Sequence, residues 1–232
     1  MTDFFRFPHT PHLVWLGDSS PRNDKVLSSN QVATLLAGNV VVEEKLDGAN
    51  LGFSLAPDGS LRVQNRGHYL TEPYSGQFVR LPAWLAQHSE LLHSVLKPDL
   101  ILFGEWCAAR HSLNYVALPD WFLLFDVYDR KTGLFWSTTR RNTLATFARL
   151  TTVPQIMQGN ISVTALRKLV ITVPSRYRDG PLEGVIIRQE SAKWCELRAK
   201  LVRPDFTQAI ETHWRNRAIE WNRIDYFSKN PE

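Results

Sequence analysis

Val40-Val41-Val42-Glu43-Glu44-Lys45-Leu46-Asp47-Gly48-Ala49-Asn50-Leu51-Gly52-Phe53-Ser54-Leu55 is the stretch around which the rest of the chain is organised. Its valine-rich entry and the apolar run from Leu51 to Leu55 favour two strands. Between them lie two carboxylates, a lysine and an Asp-Gly pair, which place Lys45 beside a tight turn. Gly48, with no side chain, lets the backbone there approach a ligand closely. A lysine so placed is a candidate nucleophile if burial or neighbouring positive charge keeps part of it neutral. The alternative is an ordinary ion pair at a strand end.

Working outward, Ala56-Pro57-Asp58-Gly59-Ser60 reads as the turn of a β-hairpin joining Leu51–Leu55 to Leu61–Gln64, which ends at Asn65-Arg66-Gly67-His68. Apolar residues at 81, 84, 85, 92, 95 and 96 have helical spacing, with Pro82 in the first turn. Leu100-Ile101-Leu102-Phe103-Gly104-Glu105-Trp106 reads as a buried strand that carries one carboxylate at its end, costly unless something pairs with it. A second apolar strand spans Trp121 to Asp129, and Lys131-Thr132-Gly133 turns it into Leu134-Phe135-Trp136. Helices are expected over Gln31–Ala37, from a cap at Thr138 or Thr139 to about Leu150, and from about Ser162. Leu182–Arg188 is a further strand, carrying Glu183. Glu196–Val202 alternates, with Arg198 and Lys200 on one face and Leu197, Ala199 and Leu201 on the other.

Residues 1–30, rich in Pro, His, Ser, Asp and Asn, read as loop. His9 and His12 in it have no third ligand nearby to make a metal site. A final helix is expected from Asp205 or Thr207, with apolar positions at 206, 210, 214, 218 and 221. Arg215, Arg217, Arg223 and Lys229 make that tail basic, as a solvated face or a nucleic-acid contact. No composition break marks a second domain, so residues 1–232 are read as one domain with a basic helical tail over 205–232.

Hydrophobic content of 44% and charged content of 22% exclude a disordered chain. A net charge of +4 leans towards a polyanionic partner. Cys107 and Cys195 fit neither a disulfide framework nor a zinc site and suit a reducing compartment. With neither a signal-peptide pattern nor an apolar run of spanning length, a cytoplasmic protein without membrane partners is expected.

By type, the chain offers one nucleophile candidate (Lys45), two isolated strand carboxylates (Glu105, Glu183), a cationic face (Arg198, Lys200) and a strand-end arginine (Arg66). Phosphoryl chemistry needs that inventory: a nucleophile in line, cations on the phosphate oxygens and a carboxylate for a divalent metal. Lys200 and the metal would push the pKa of Lys45 down.

Here the chain resembles the covalent nucleotidyltransferases, the polynucleotide ligases and mRNA-capping enzymes. Lys45-Leu46-Asp47-Gly48 is similar to the family's nucleotide-acceptor motif, Phe103-Gly104-Glu105-Trp106 to its third motif and Phe122–Asp126 to the aromatic-Asp motif. Leu182–Arg188 is similar to the fourth, and Arg198-Ala199-Lys200 to the fifth. Within the superfamily, Glu44 before the lysine, Gly48-Ala49-Asn50 after it, Arg66-Gly67 and the aromatic after Phe-Gly-Glu resemble the ATP-dependent RNA ligase 2 branch. The match runs from about residue 40 to 206. Glu44 and the 48–50 signature argue against a GTP-dependent capping enzyme.

The resemblance implies an α+β nucleotidyltransferase fold, antiparallel sheets flanked by helices around a nucleotide cleft, where pattern alone gives mixed α and β. It implies an ATP-dependent ligase that forms lysyl-AMP on Lys45, passes AMP to a 5′-phosphate and seals it to a 3′-hydroxyl, with RNA favoured. Phe125 would stack on adenine, Glu105 bind the ribose, Glu183 hold Mg2+ or Mn2+, and Lys200 contact the α-phosphate, with Arg198 beside it. Glu44, Asn50 and Arg66 would serve nucleotide and end recognition. Each has a plainer reading: Phe125 as core, Arg66 as a solvated turn residue, Asp47 as a cap on the turn at Gly48, Arg188 as a surface strand residue rather than a substrate contact. Two departures stand out. The fifth motif has Arg198 where the family pattern has lysine. The family's further C-terminal domain has no counterpart in the some thirty residues after Lys200, which leaves open whether a partner protein replaces it. A DNA-nick ligase or a non-sealing end-binding module are the rival readings.

Overall fold

The structure is a computed structural model that describes residues 4–17, 26–209 and 218–225. Helix α1 (Ser29–Leu35) starts at a capping box in which Ser28 and Gln31 satisfy each other's backbone amides. Strand β1 (Val40–Lys45) follows, then the hairpin of β2 (Ala49–Leu55) and β3 (Leu61–Asn65), the short β4 (Tyr69–Leu70), and helix α2 (Leu81–Val95) with its proline in the first turn. Next come β5 (Leu100–Trp106), β6 (Phe122–Asp129), β7 (Leu134–Trp136), helix α3 (Thr138–Phe147), β8 (Thr151–Thr152), β9 (Gln155–Gly159) and helix α4 (Val163–Thr172). Strands β10 (Gly184–Glu190) and β11 (Trp194–Val202) and helix α5 (Pro204–Ala209) complete the series.

The strands form one hydrogen-bonded sheet in the order β4-β3-β2-β5-β6-β7-β11-β10-β1-β9, antiparallel except where β8 joins β6 in parallel. The mixed α and β architecture expected from the sequence is observed. Two hydrophobic clusters divide it into halves. One gathers Leu51, Phe53, Trp84, Leu102, Trp106 and Phe122 from β2, α2, β5 and β6. The other gathers Val40, Val42, Leu166, Val185, Ile187 and Leu201 from β1, α4, β10 and β11. The three-residue β7 pairs with β6 on one side and β11 on the other, and Leu46-Asp47-Gly48 carries the chain from one half to the other.

Several boundaries move. Helix α3 is capped by Ser137, one residue before the expected threonines, and ends before Arg149, whose φ of 51° is incompatible with helix continuation. Strand β9 was not expected from its sequence. It pairs with the outer edge of β1, and that edge supplies what its own residues lack. The expected C-terminal helix starts as α5, described as far as Ala209, and is corrected at residues 218–225, which run as non-helical chain back over the molecule. Trp221 bridges Ala109 and Ile224 bridges Leu118 there. The apolar Trp221 therefore reports contact with the body, not helical periodicity, while Ala218 is exposed. Arg215, Arg217 and Lys229 lie outside the described residues. Among the described residues no helix is long and apolar enough to cross a membrane.

The N-terminal segment, read from sequence as plain loop, has little regular structure but is not peripheral. Phe7 and Leu13 are buried, and the backbone of residues 11–13 pairs with Lys200 on β11: Lys200 N donates to Pro11 O (2.8 Å) and Leu13 N to Lys200 O (2.7 Å).

Candidate active site

Strand pairing brings distant residues to one place. Lys45 at the end of β1 lies opposite Gly184, which puts Glu183 beside it; Asn50 on β2 lies opposite Glu105 on β5; Ile186 lies opposite Lys200. Along β5–β6 the register slips between Phe103 and Gly104, so that Phe103 faces Asp126 and Gly104 faces Leu124. Phe125 is the extra residue of this bulge, an arrangement that re-aims a side chain. The result is a cleft of about 590 Å³, a size that takes a small-molecule ligand.

Of the residues singled out in the sequence, Glu44, Lys45, Gly48, Asn50, Arg66, Glu105, Phe125, Arg188, Arg198 and Lys200 line this cleft. Glu183 lies just behind Lys45, 4% exposed, with Lys45 Nζ 2.7 Å from its Oε1 and 2.8 Å from its Oε2. Burial alone would push the pKa of Lys45 down. The Glu183 and Glu105 carboxylates outweigh it, and the ammonium is held above the ordinary lysine value. That reverses the expected direction. Glu105 is pushed up to about 7, by burial first, with Lys45 opposing; its Oε1 accepts from Gly48 N at 2.9 Å.

Gly48 is required for this contact, since a Cβ there would lie 2.5 Å from the Trp106 carbonyl oxygen and 3.1 Å from Glu105 Cγ. Asp47 does not cap its own turn. Its Oδ2 accepts from Ser112 N (2.7 Å) and Leu113 N (2.8 Å), and its amide donates to the Tyr115 hydroxyl (2.8 Å). Glu44 accepts from Ser175 Oγ (2.6 Å) and Arg176 N (2.9 Å), and burial raises its pKa. Asn50 Oδ1 is buried with no hydrogen-bond partner, an acceptor left for a ligand. Arg66 Nη2 reaches Pro8 O at 3.3 Å.

Arg188 is 1% exposed, which corrects the surface reading. It donates to Asp126 (2.6 Å), Glu190 (2.6 Å) and Trp136 O (2.9 Å), and Asp126 also pairs with Arg198. Sequence reasoning missed Glu43 and Arg141, a buried pair at 2.6 Å in which Arg141 also donates to Phe125 O at 2.7 Å. It also missed Phe7, Thr10, Ile186 and His111 in the cleft wall. The aromatic-Asp motif pointed at Asp126; nothing local marks Arg141, which reaches Glu43 across 98 residues of chain.

Chemically, the cleft combines an aromatic wall, three cations (Arg66, Arg198, Lys200), an unmet acceptor and an amine against a carboxylate. That suits a nucleotide. Among the described residues no three His, Cys, Asp or Glu side chains gather as a metal cage. The buried carboxylate of Glu183 fits a Mg2+-type ion that takes its remaining ligands from phosphate and water.

Residues 38–202 match the protein-family model described as RNA ligase. No curated protein sequence matches the chain. The chain is similar to the solved structure of Naegleria gruberi RNA ligase with PPi, at TM-score 0.63 and 16% identity over 90% of this chain and 65% of that one. Against an apo mutant of that ligase the TM-score is 0.61 at 16% identity, over 79% of this chain and 55% of that one. A mutant with ATP and Mn gives 0.60 at 18%, over 77% and 54%. The chain thus spans little more than half the length of several of the structures it matches, and the likeness is one of fold.

Proposed function

Since this chain belongs to the RNA ligase family, we propose that it is an ATP-dependent RNA ligase acting through adenylylation of its own Lys45. The observation that carries this reading is the Lys45 amine at a cleft lined by Phe125, the unmet Asn50 acceptor and the three cations Arg66, Arg198 and Lys200. The amine attacks the α-phosphate of ATP; a nitrogen–phosphorus bond forms as the bond to pyrophosphate breaks. AMP then passes to a 5′-phosphate end, and a 3′-hydroxyl displaces it to join the strands. Phe125 stacks on adenine, Glu105 binds the ribose, and Lys200 contacts the α-phosphate with Arg198 beside it. Glu44, Asn50 and Arg66 serve nucleotide and end recognition. Arg188 and Asp47 act from behind, the first through Asp126 and the second through the loop at 112–113.

Attack requires the neutral amine, so the Glu183 contact that favours the ammonium has to be given up first. Glu183 would hold Mg2+ or Mn2+, which supplies neutralisation of phosphate charge. The Naegleria ligase structures with ATP and Mn support this choice of nucleotide and metal class. Nucleic acid with 5′-phosphate and 3′-hydroxyl ends is the substrate class, RNA first.

The test is incubation with α-labelled ATP or GTP and magnesium, then a denaturing gel, with Lys45→Ala alongside. Label from ATP that survives denaturation and vanishes in the mutant is expected. Label from GTP alone would move the reading to capping chemistry, and none from either to a non-sealing binding module. Nicked duplexes with RNA or DNA on either side of the break then separate the ligase readings.

A further inference from the structure

The N-terminal segment from Phe5 to Leu13 crosses the cleft from one half of the sheet to the other, and along its path it touches the side chains of Arg66 and Arg198 and the backbone of Lys200. At one end Phe5 O accepts from Gln64 Nε2 on β3 (2.9 Å), and Pro8 O accepts from Arg66. In the middle the Phe7 ring lies against Phe125, with centroids 5.2 Å apart, and under Arg198, whose guanidinium carbon is 4.7 Å from the Phe7 centroid and 4.0 Å from that of Phe135. At the far end the strap brackets Lys200 with the two backbone hydrogen bonds to Pro11 and Leu13. This segment lies outside the residues matched by the family model.

We propose that residues 5–13 are a working part of the nucleotide site, with Phe7 a positioning residue that fixes Arg198 for the triphosphate. The inference rests on the ligase reading above. It also explains the arginine in the fifth motif. The guanidinium lies against both Phe7 and Phe135, rings inclined at 70° to each other, while donating to Asp126, a combination that a lysine ammonium cannot reproduce. The aromatic strap and the arginine thus form one device: the two inclined rings hold the guanidinium and Asp126 sets its direction.

The test is ATP affinity by calorimetry with magnesium on the full chain, for Phe7→Leu, Phe7→Tyr, Arg198→Met and Phe7→Leu with Arg198→Met. Loss of a cation–π contact of this kind predicts about fivefold weaker ATP binding for Phe7→Leu, and within about twofold of wild type for Phe7→Tyr. In the Arg198→Met background the further effect of Phe7→Leu should stay under about twofold, because the two act as a unit. Wild-type affinity in Phe7→Leu, or penalties that multiply in the double variant, would overturn the proposal. If Phe7→Leu does not fold, Arg198→Lys decides: it should bind ATP about fivefold more weakly, and unchanged binding would sink the idea. A wild type that binds ATP without becoming labelled would count against the adenylylation reading alone, and the clamp would still be read. A wild type that binds no ATP would overturn both.

Discussion

Lys45 is held as an ammonium by Glu183, so the charge on one residue governs the reactivity of another. Removing it with Glu183→Gln leaves burial as the larger influence on Lys45, and its pKa should fall. Modification by an amine-directed acylating reagent, followed by peptide mapping across pH 7 to 11, should show Lys45 reacting at lower pH in the variant than in wild type; an unchanged onset would refute this account. Glu105 has the opposite consequence. With its folded pKa at about 7 against an unfolded value near 4.5, the folded state binds the extra proton between those limits, so stability falls as pH rises through that window. Glu105→Gln removes this share of the dependence, while Glu183 and Glu44, both raised by burial, keep theirs. The variant's urea-unfolding free energy should gain on wild type by about 2–3 kcal/mol between pH 4.5 and 8, and a constant difference would count against a raised pKa. At this scale the sequence was informative wherever a residue type was chemically odd for its place, as with a carboxylate closing an apolar strand. It was silent on Glu43 and Arg141, ordinary residues made special by a partner far away in the chain.

The elements that repeat a simple period were read well. Strand β5 and the start of α2 fall where the pattern puts them, because a continuous apolar run and a first-turn proline are local facts. What could not be read is set between elements. The bulge that turns Phe125 into the cleft depends on how β6 meets β5, and β9 depends on the free edge of β1. The bulge in turn depends on Gly104, where a Cβ would overlap the Phe122 ring and the Leu123 carbonyl. Gly104→Ala should therefore cost about 2–3 kcal/mol and lower the melting temperature by roughly 5–10 °C. Calorimetric melting checks this. A fall of less than a degree would mean that β5 and β6 part without strain.

Across the whole molecule, buried charge ties the two halves together. Arg141 on α3 reaches Glu43 on β1 and the carbonyl of Phe125 on β6, so a single side chain spans both. Arg141→Ala strands the Glu43 carboxylate, and a loss of about 3–5 kcal/mol in chemical denaturation is expected. Replacing both by leucine should recover much of that loss; if the double variant is no better than the single, the charge is not the cause. The halves themselves were not legible as halves, because the composition is even along the chain and the division runs between strands that alternate in sequence. The segment at 218–225 adds another connection. Asn222 donates to the carbonyls of Cys107 and Ala109 and accepts from the amide of Tyr115, whose hydroxyl receives the Asp47 amide two residues beyond Lys45. The last described stretch of chain is in this way geared to the turn that follows Lys45. A displacement at Asn222 would arrive at Asp47 through two side chains, so residues 218–225 form a lever on that turn.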